Sequence, residues 1–164
     1  MDLQWIAPKG DGDLDGCRAL RTTVFVGEQG IPEQVELDDR DADCTHVLIR
    51  LQGTVIATGR MLPEGRIGRM AVAAAYRGQG LGRIVLEGLQ ACAQSQGLSR
   101  VSLHAQHEAV GFYAAAGFGP CGDDFIEAGI LHTPMDRVLP AGTGDALDVV
   151  FARLSAALPQ PSAA

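Results

Sequence analysis

Hydrophobic positions recur along the chain with two spacings, and each spacing predicts one kind of element. Apolar residues three and four positions apart predict helices; these cover 14–29, a long stretch that starts at Leu81 and stops before Gly97, 109–118 and 145–158. Short apolar or alternating runs predict strands; they cover 3–7, 46–51, 54–62, 66–72, 99–105, 125–127 and 131–135. The segment 30–44 is acidic and contains Pro32, so we predict a loop or a broken helix there.

The order of the predicted elements is β-α-β-β-β-α-β-α-β-β, with hairpin-linked strands first and two crossover helices later. This order predicts an α+β fold around an open, partly parallel sheet. The length of 164 residues suits one domain, which we expect over residues 1–139. Residues 140–164 are expected to add a helix, packed on the surface or on a second subunit, and a disordered tail from Pro159 onward.

Composition narrows the class of protein without naming a function. Hydrophobic residues make up 46 % of the chain and charged residues 20 %, as in ordinary globular domains. No apolar run is long enough to cross a bilayer and the N-terminus lacks a secretory signal, so a cytoplasmic location without membrane partners is expected. The 4 cysteines are widely separated, lack zinc-ligand spacing and are expected to be free, buried thiols. A net charge of −7 argues against nucleic-acid binding.

Charge is distributed unevenly along the chain. Residues 60–83 contain five arginines and one glutamate, for a net +4, whereas 28–43 contain seven acids and one arginine, for a net −6. Two patches of opposite sign could hold two ligands of opposite charge, and solvated faces are the simpler alternative. The run 39–43 has aspartates at calcium-loop spacing, but Cys44 replaces the required glycine and Arg50 the required glutamate, so no metal site is expected.

A glycine-rich turn, R-G-Q-G-L-G-R over 77–83, lies at the N-terminal end of the long predicted helix. The first N–H groups of a helix have no internal partner and carry partial positive charge, so an anion binds there when no Cβ atom keeps it away. The dinucleotide pattern G-x-G-x-x-G fails because its third glycine arrives one residue early. The mononucleotide loop fails because Arg83 and Ile84 stand where lysine and serine or threonine belong.

Residues 77–82 do match the pattern R/Q-x-x-G-x-G/A, and this match resembles the acyl-CoA pyrophosphate loop of the GNAT N-acetyltransferase superfamily. The segment 111–118, G-F-Y-A-A-A-G-F, is similar to that family's F-Y-x-x-x-G-F marker. A pattern from Arg21 to His46 and another from Phe125 to Met135 look like the ElaA-like branch, although Leu131 stands where that branch usually has proline. The resemblance covers the chain as far as about Pro140.

The resemblance implies an open, mostly antiparallel central sheet of six or seven strands flanked by helices. It also implies acetyl-CoA as the donor, no metal, and a primary amine of a small molecule or peptide as the acceptor, with direct transfer in a ternary complex. The main-chain N–H of Val72 could polarise the thioester carbonyl. The residues expected to bind the donor are Met70, Ala71, Val72, Arg77, Gly78, Gln79, Gly80, Leu81, Gly82 and Arg83.

Proton transfer requires an acid and a base. Tyr113, in the second marker, is the candidate acid that would protonate the leaving thiolate, and a purely structural aromatic is the alternative. The base that removes the amine's proton stays open; the candidates are Glu28, Glu127, His46, His104 and His132. The branch resemblance favours Glu28 and Glu127, because it implies positions near the acceptor cleft.

Other functions and partners remain open on the sequence alone. A non-catalytic acyl-CoA-binding or sensor module would keep the glycine turn without turnover, and a nucleotide-binding protein would use the turn for ATP or NAD. The acceptor is not named, so polyamine-like molecules, amino sugars, antibiotics and protein N-termini are all candidates. An apolar C-terminal helix and the sheet edges make a homodimer possible.

Overall fold

The computed structural model of the chain describes residues 1–160. The strands are β1 (Asp2–Ile6), β2 (Thr45–Leu51), β3 (Thr54–Met61), β4 (Arg66–Val72), β5 (Arg100–Gln106), β6 (Gly119–Pro120), β7 (Phe125–Glu127) and β8 (Ile130–Val138). The α-helices are α1 (Leu14–Arg21), α2 (Glu33–Glu36), α3 (Leu81–Ser95), α4 (Val110–Ala115) and α5 (Leu147–Ala156). None of the helices in this range is both long and apolar enough to span a bilayer.

The strands form one open sheet in the order β1-β2-β3-β4-β5-β8-β6, with β7 also paired to β8. Every pair is antiparallel except β4 and β5, which are parallel. The α+β fold and the open, mostly antiparallel sheet are therefore confirmed. Within residues 1–160 the sheet has 8 strands rather than the six or seven expected, and β6 is the strand that the sequence pattern missed. That strand is only 2 residues long, a glycine and a proline, and carries no alternation that a pattern could reveal.

The first helix differs from its predicted form. A single helix over 14–29 was expected, but α1 ends at Arg21 and the chain continues as a π-helix over Thr22–Glu28. Its wider turn is visible where the Gln29 N–H donates to the Val24 C=O, five residues back. The buried Val24 and Phe25 follow the buried Leu20 by four and five residues, a spacing too short to distinguish a π-helix from an α-helix, which is why the pattern did not reveal it.

Helices cover both faces of the sheet. On one face α3 buries Val85 and Leu89 completely against β2 and β3. Gly88 permits this close approach, since a Cβ atom there would stand 3.1 Å from the Val47 side chain. On the other face α1 packs Cys17 and Leu20 into a second apolar cluster.

The C-terminal helix packs on its own chain. Phe151 of α5 is buried against Trp5 of β1, with ring centroids 4.5 Å apart, and Leu158 is buried just beyond the helix. Helix α5 covers Leu147–Ala156, slightly less than the predicted 145–158. The disordered tail predicted from Pro159 falls mostly on 161–164, which lie outside the described residues.

The four cysteines are free, as expected, but they are not all buried. Cys17, Cys44 and Cys92 are buried, whereas Cys121 is exposed beside β6. Burial raises the pKa of Cys92 to about 12, so this thiol keeps its proton at neutral pH. Among residues 1–160 no cluster of three or more histidine, cysteine or acidic side chains could hold a metal ion.

Candidate active site

A cleft of about 490 Å³ opens where the parallel strands β4 and β5 separate. The two strands pair only at Arg66 with Ser102 and Ile67 with Leu103. A bulge in β4 follows at once, because two residues, Arg69 and Met70, stand opposite the single residue Gly59 of β3. The bulge bends β4 away from β5 and leaves a wedge of open space between them.

The end of β4 presents an unpaired main-chain edge to this wedge. The Ala73 N–H donates to the Ile56 C=O of β3 at 2.8 Å. Because successive peptide groups of a strand alternate in direction, the Val72 amide points away from β3 and towards the wedge. The Val72 C=O already accepts a hydrogen bond from Arg77 Nε at 2.9 Å. An extended molecule with amide groups could therefore bind along Met70–Val72 as a short additional strand.

The glycine turn follows directly and leads into α3. Gly78 and Gly80 have φ angles of 79° and 81°, and no heavy atom lies within 4 Å of the place where a Cβ would stand. Helix α3 starts at Leu81 without a side-chain cap. Within the described part of the chain, the amide N–H groups of 79–83 donate to no protein acceptor. The turn thus has the free donors and the open approach that an anion requires.

Both arginines of the turn have protein partners. Arg77 pairs with Glu28 at 2.9 Å, and Arg83 pairs with Glu87 at 3.2 Å. All four side chains are 37–45 % exposed, so these pairs contribute little to stability. These ion pairs partly neutralise the positive charge of Arg77 and Arg83. The main-chain amides of 79–83, which have no protein partner among the described residues, are therefore the donors more available to an anion.

Tyr113 of α4 is nearly buried, with 9 % of its surface exposed, and it lines the cleft. Phe112 and Phe118 pack edge-on against its ring, with centroids 5.0 and 6.0 Å away. Burial raises the pKa of Tyr113 to about 12, so the phenol is protonated at neutral pH. No protein group among residues 1–160 forms a hydrogen bond with its hydroxyl, which leaves that group available to a ligand.

Two of the five candidate bases lie outside the cleft lining. His46 is buried, its Nε2 lies 2.8 Å from the Asp41 C=O, and burial lowers its pKa. Glu28 is occupied by its ion pair with Arg77. Neither arrangement leaves a basic atom facing the space where the strands separate.

The other three candidates line the cleft together: His104 of β5, Glu127 of β7 and His132 of β8. His104 Nδ1 lies 3.2 Å from Glu127 Oε2. Because an ionised carboxylate only accepts hydrogen bonds, it favours the tautomer with the hydrogen on Nδ1, which leaves the Nε2 lone pair free to accept a proton. His132 instead donates from Nδ1 to the Ile130 C=O at 2.7 Å and is partly closed off beneath Phe125.

The acidic segment and the arginine-rich segment bind each other. Arg21 is buried between Glu36 and Asp41, with Nη1 2.8 Å from Asp41 Oδ1, and Arg60 Nη1 lies 3.0 Å from that same Asp41 oxygen. Asp38 accepts from Arg60 at 2.8 Å and lies 3.3 Å from Arg69. The hypothesis of two patches for oppositely charged ligands is therefore wrong for these residues. Their charges instead fix the segment around α2 against β3 and β4, where it forms one wall of the cleft.

This ion-pair cluster predicts a specific dependence of stability on pH. Hydrogen bonding to Arg60 lowers the pKa of Asp38 to about 2. In the unfolded chain this carboxyl group titrates near 4, so its contribution is complete above about pH 4 and is lost as the pH falls through about 2. Asp38→Asn should lower the free energy of unfolding by about 2 kcal/mol at pH 6, and by less at pH 3, in urea titrations.

Asp39→Asn provides the matched control for that measurement. Asp39 is adjacent, exposed and without an ion pair among the described residues, and asparagine tolerates its φ of 60°. It should leave stability nearly unchanged at both pH values. A pH-independent loss in Asp38→Asn would contradict the assigned role of the charge.

Two cleft residues at the start of β4 were not predicted from the sequence. The Arg66 side chain lines the cleft and forms no ion pair or hydrogen bond within residues 1–160. Gly68 also lines it, and no heavy atom lies within 4 Å of where its Cβ would stand. Only the alternation of the strand could have signalled them: because Ile67 is buried against α3, its neighbours must face the opposite side.

Comparison with known proteins agrees with this geometry. The family model described as "Acetyltransferase (GNAT) domain" matches residues 18–139. An acyl-CoA N-acyltransferase from Pseudomonas aeruginosa is 31 % identical, with a TM-score of 0.76 over 84 % of this chain and 100 % of its own. Escherichia coli ElaA is 29 % identical, with a TM-score of 0.74 over 83 % of this chain and 98 % of its own. The uncharacterized N-acetyltransferase YjcF of Bacillus subtilis is 29 % identical over 137 residues, covering 81 % of this chain and 98 % of that relative.

The matched family region spans β2 to β8 and contains both the glycine turn and Tyr113. The resemblance seen in the two sequence motifs is thereby confirmed, and structural similarity includes the ElaA protein itself. The wedge between β4 and β5, the uncapped start of α3 and the buried phenol occur together in a chain that belongs to the GNAT acetyltransferase family.

Proposed function

We propose that the protein transfers the acetyl group of acetyl-CoA directly to a primary amine, with both substrates bound together in the cleft. The observation that carries this proposal is a set of free main-chain donors that runs from the end of β4 into α3, together with a free phenol in the neighbouring cleft. The donors are the Val72 amide and the uncapped amides of 79–83, and the phenol is that of Tyr113, which lines the cleft. No single one of them would distinguish an acyltransferase from a simple anion-binding site.

The donor side is formed mainly by main-chain groups. The amides of 79–83 would hold the diphosphate, and the positive φ angles at Gly78 and Gly80 turn the chain so that it can approach. Met70, Ala71 and Val72 would pair with the pantetheine amides as a short strand, and the Val72 N–H would donate to the thioester oxygen. Arg77 and Arg83 would add charge at the rim, while Glu28 serves to orient Arg77 rather than to accept a proton.

Two different side chains carry out the two proton transfers: Tyr113 protonates the leaving thiolate, and His104 takes the proton of the amine. The amine nitrogen attacks the thioester carbon, the carbon–sulfur bond breaks, and the sulfur leaves as a thiolate. Tyr113 donates its hydrogen to that sulfur, and its pKa of about 12 means that the phenol still carries this hydrogen at neutral pH. His104 accepts the proton of the amine at Nε2, and Glu127 positions its ring through Nδ1.

The role of His104 is tested by His104→Gln. Glutamine keeps a donor for Glu127 but has no basic nitrogen, so kcat should fall by about 100-fold while acetyl-CoA affinity stays within about threefold. The loss should shrink at high pH, where a larger fraction of the amine is already neutral. His107→Gln, three residues further on and outside the cleft lining, is the control and should retain parental activity. A variant whose loss is the same at every pH would remove His104 from proton transfer.

The proposed activity is tested by screening primary amines for release of free thiol from acetyl-CoA. Acetylated product should form in equal amount to the thiol. Tight binding of acetyl-CoA without thiol release from any amine would instead favour the alternative, a non-catalytic acyl-CoA-binding module. Displacement of acetyl-CoA by ATP or NAD at similar concentrations would favour a nucleotide-binding protein.

A further inference from the structure

We infer that the acceptor is a primary amine that also carries a carboxylate, of the amino-acid type, and that Arg66 binds this carboxylate. The inference rests on the proposed function, because it concerns the acceptor side of the same cleft. It narrows a range of acceptors that otherwise includes polyamines, amino sugars and antibiotics.

The charged side chains that line the cleft leave one arginine without a partner in the part of the chain that the structure describes. The lining contains three carboxylates, and each has a protein partner: Glu36 and Asp38 are held by arginines, and Glu127 by His104. Two of the three lining arginines, Arg60 and Arg69, are paired with those acids. Among the described residues, the remaining lining arginine has no partner. The cleft therefore offers one arginine without a protein partner within residues 1–160, whereas each lining carboxylate already has a protein group bound to at least one of its oxygens.

The position of Arg66 relative to the proposed base, His104, allows one small acceptor to reach both residues. Ser102 lies beside Arg66 in the parallel pair, and His104 is two residues further along β5 on the same face as Ser102. Adjacent strands lie about 4.8 Å apart and two residues span about 6.6 Å along a strand, so the backbones at Arg66 and His104 are at least about 8 Å apart. An amine at the imidazole and a carboxylate at the guanidinium can belong to one small molecule across that span.

The surface of β4 between Arg66 and His104 is not covered by a side chain of the described residues. Gly68 has no side chain, and no heavy atom would lie within 4 Å of a Cβ there. A molecule can thus lie directly on the strand between Arg66 and His104. The lining also contains the apolar side chains of Ile31, Val35 and Leu62, which suits an acceptor with an apolar side chain.

The same observations disfavour polycationic acceptors. A polyamine or an aminoglycoside would bring further ammonium groups next to Arg66 without any unpaired acid to receive them. An arginine binds a carboxylate through two parallel hydrogen bonds, which adds geometric selectivity to the attraction of opposite charges.

The inference is tested with two matched pairs of acceptors, each an acid and its amide: L-leucine with L-leucinamide, and γ-aminobutyrate with γ-aminobutyramide. Thiol release gives kcat/KM, and calorimetry on the CoA-loaded protein gives binding independently of turnover. In at least one pair the acid should exceed the amide by about tenfold or more in both quantities. Arg66→Gln should lower the kcat/KM for that acid by about 10- to 100-fold and change that for its amide by less than about threefold.

Arg100→Gln is the matched control, because Arg100 also lies on a strand of the sheet, at the start of β5, but pairs with Asp136 and is outside the cleft lining. It should leave both members of each pair unchanged. Amides equal to or better than acids in both pairs, or an Arg66→Gln loss shared equally by acid and amide, would overturn the inference while leaving the acetyltransferase proposal intact. Preferential binding of an acid without any turnover would support the acceptor site and contradict the proposed activity.

Discussion

Gly80→Val should weaken the binding of acetyl-CoA by about 100-fold or more. Gly80 caps α3 in the left-handed conformation, with φ of 81°, and faces open space. A branched side chain there would occupy the space from which the diphosphate reaches the amides of 79–83. The loss of two charge-assisted hydrogen bonds would account for a change of this size. Calorimetric titration with acetyl-CoA measures the effect directly.

The strained backbone of the variant requires its own control, and the other end of the same helix provides one. Gly97 follows α3 with φ of 82°, and no heavy atom lies within 4 Å of the position that a Cβ would take there. Valine at either position should cost about 1–3 kcal/mol of stability, because both lie in the left-handed region. Gly97→Val should nevertheless bind acetyl-CoA like the parent. Equal affinity losses in the two variants would mean that strain, not blocked access, is responsible.

Tyr113→Phe should lower kcat by about 100- to 1,000-fold while leaving acetyl-CoA affinity within about threefold. The substitution removes only the hydroxyl, and that group has no protein partner among residues 1–160, so folding should be nearly unaffected. Single-turnover thiol release separates the chemical step from product release. The expected loss is one of transition-state stabilisation rather than of binding, since the ring and its aromatic contacts remain.

The control for that substitution is Tyr76→Phe. Tyr76, the only other tyrosine of the chain, is partly buried before the glycine turn and does not line the cleft. It should turn over at the parental rate. Unchanged kcat in Tyr113→Phe across a pH profile would show that the thiolate leaves without this acid.

The sequence predicted the parts of the candidate site that are contiguous along the chain. The glycine turn of 77–83 combines a backbone requirement, a helix start and flanking cations within seven residues, so local pattern was sufficient to predict an anion site. The same holds for Tyr113, which lies in a compact motif. The boundaries of β4, 66–72, were also predicted correctly, because an apolar alternation between two turns defines them.

The parts that depend on distant residues could not be predicted in the same way. Asp38 and Arg60 are 22 positions apart and His104 and Glu127 are 23 apart, so no periodicity connects their charges. The acidic run read alone suggested a surface for cationic ligands, whereas folding places arginines from α1, β3 and β4 against it. The bulge at Arg69 was likewise invisible, since its φ of 52° belongs to a residue type that rarely adopts it.

The central claim is that main-chain amides at the start of α3 bind the diphosphate of acetyl-CoA beside the wedge between β4 and β5. A crystal structure of the complex with acetyl-CoA tests it most directly. We predict diphosphate oxygens about 2.7–3.2 Å from amide nitrogens of 79–83, with the thioester between the Val72 N–H and the Tyr113 hydroxyl. A complex in which the ligand occupies another surface, with these amides making no contact to it, would contradict the proposal.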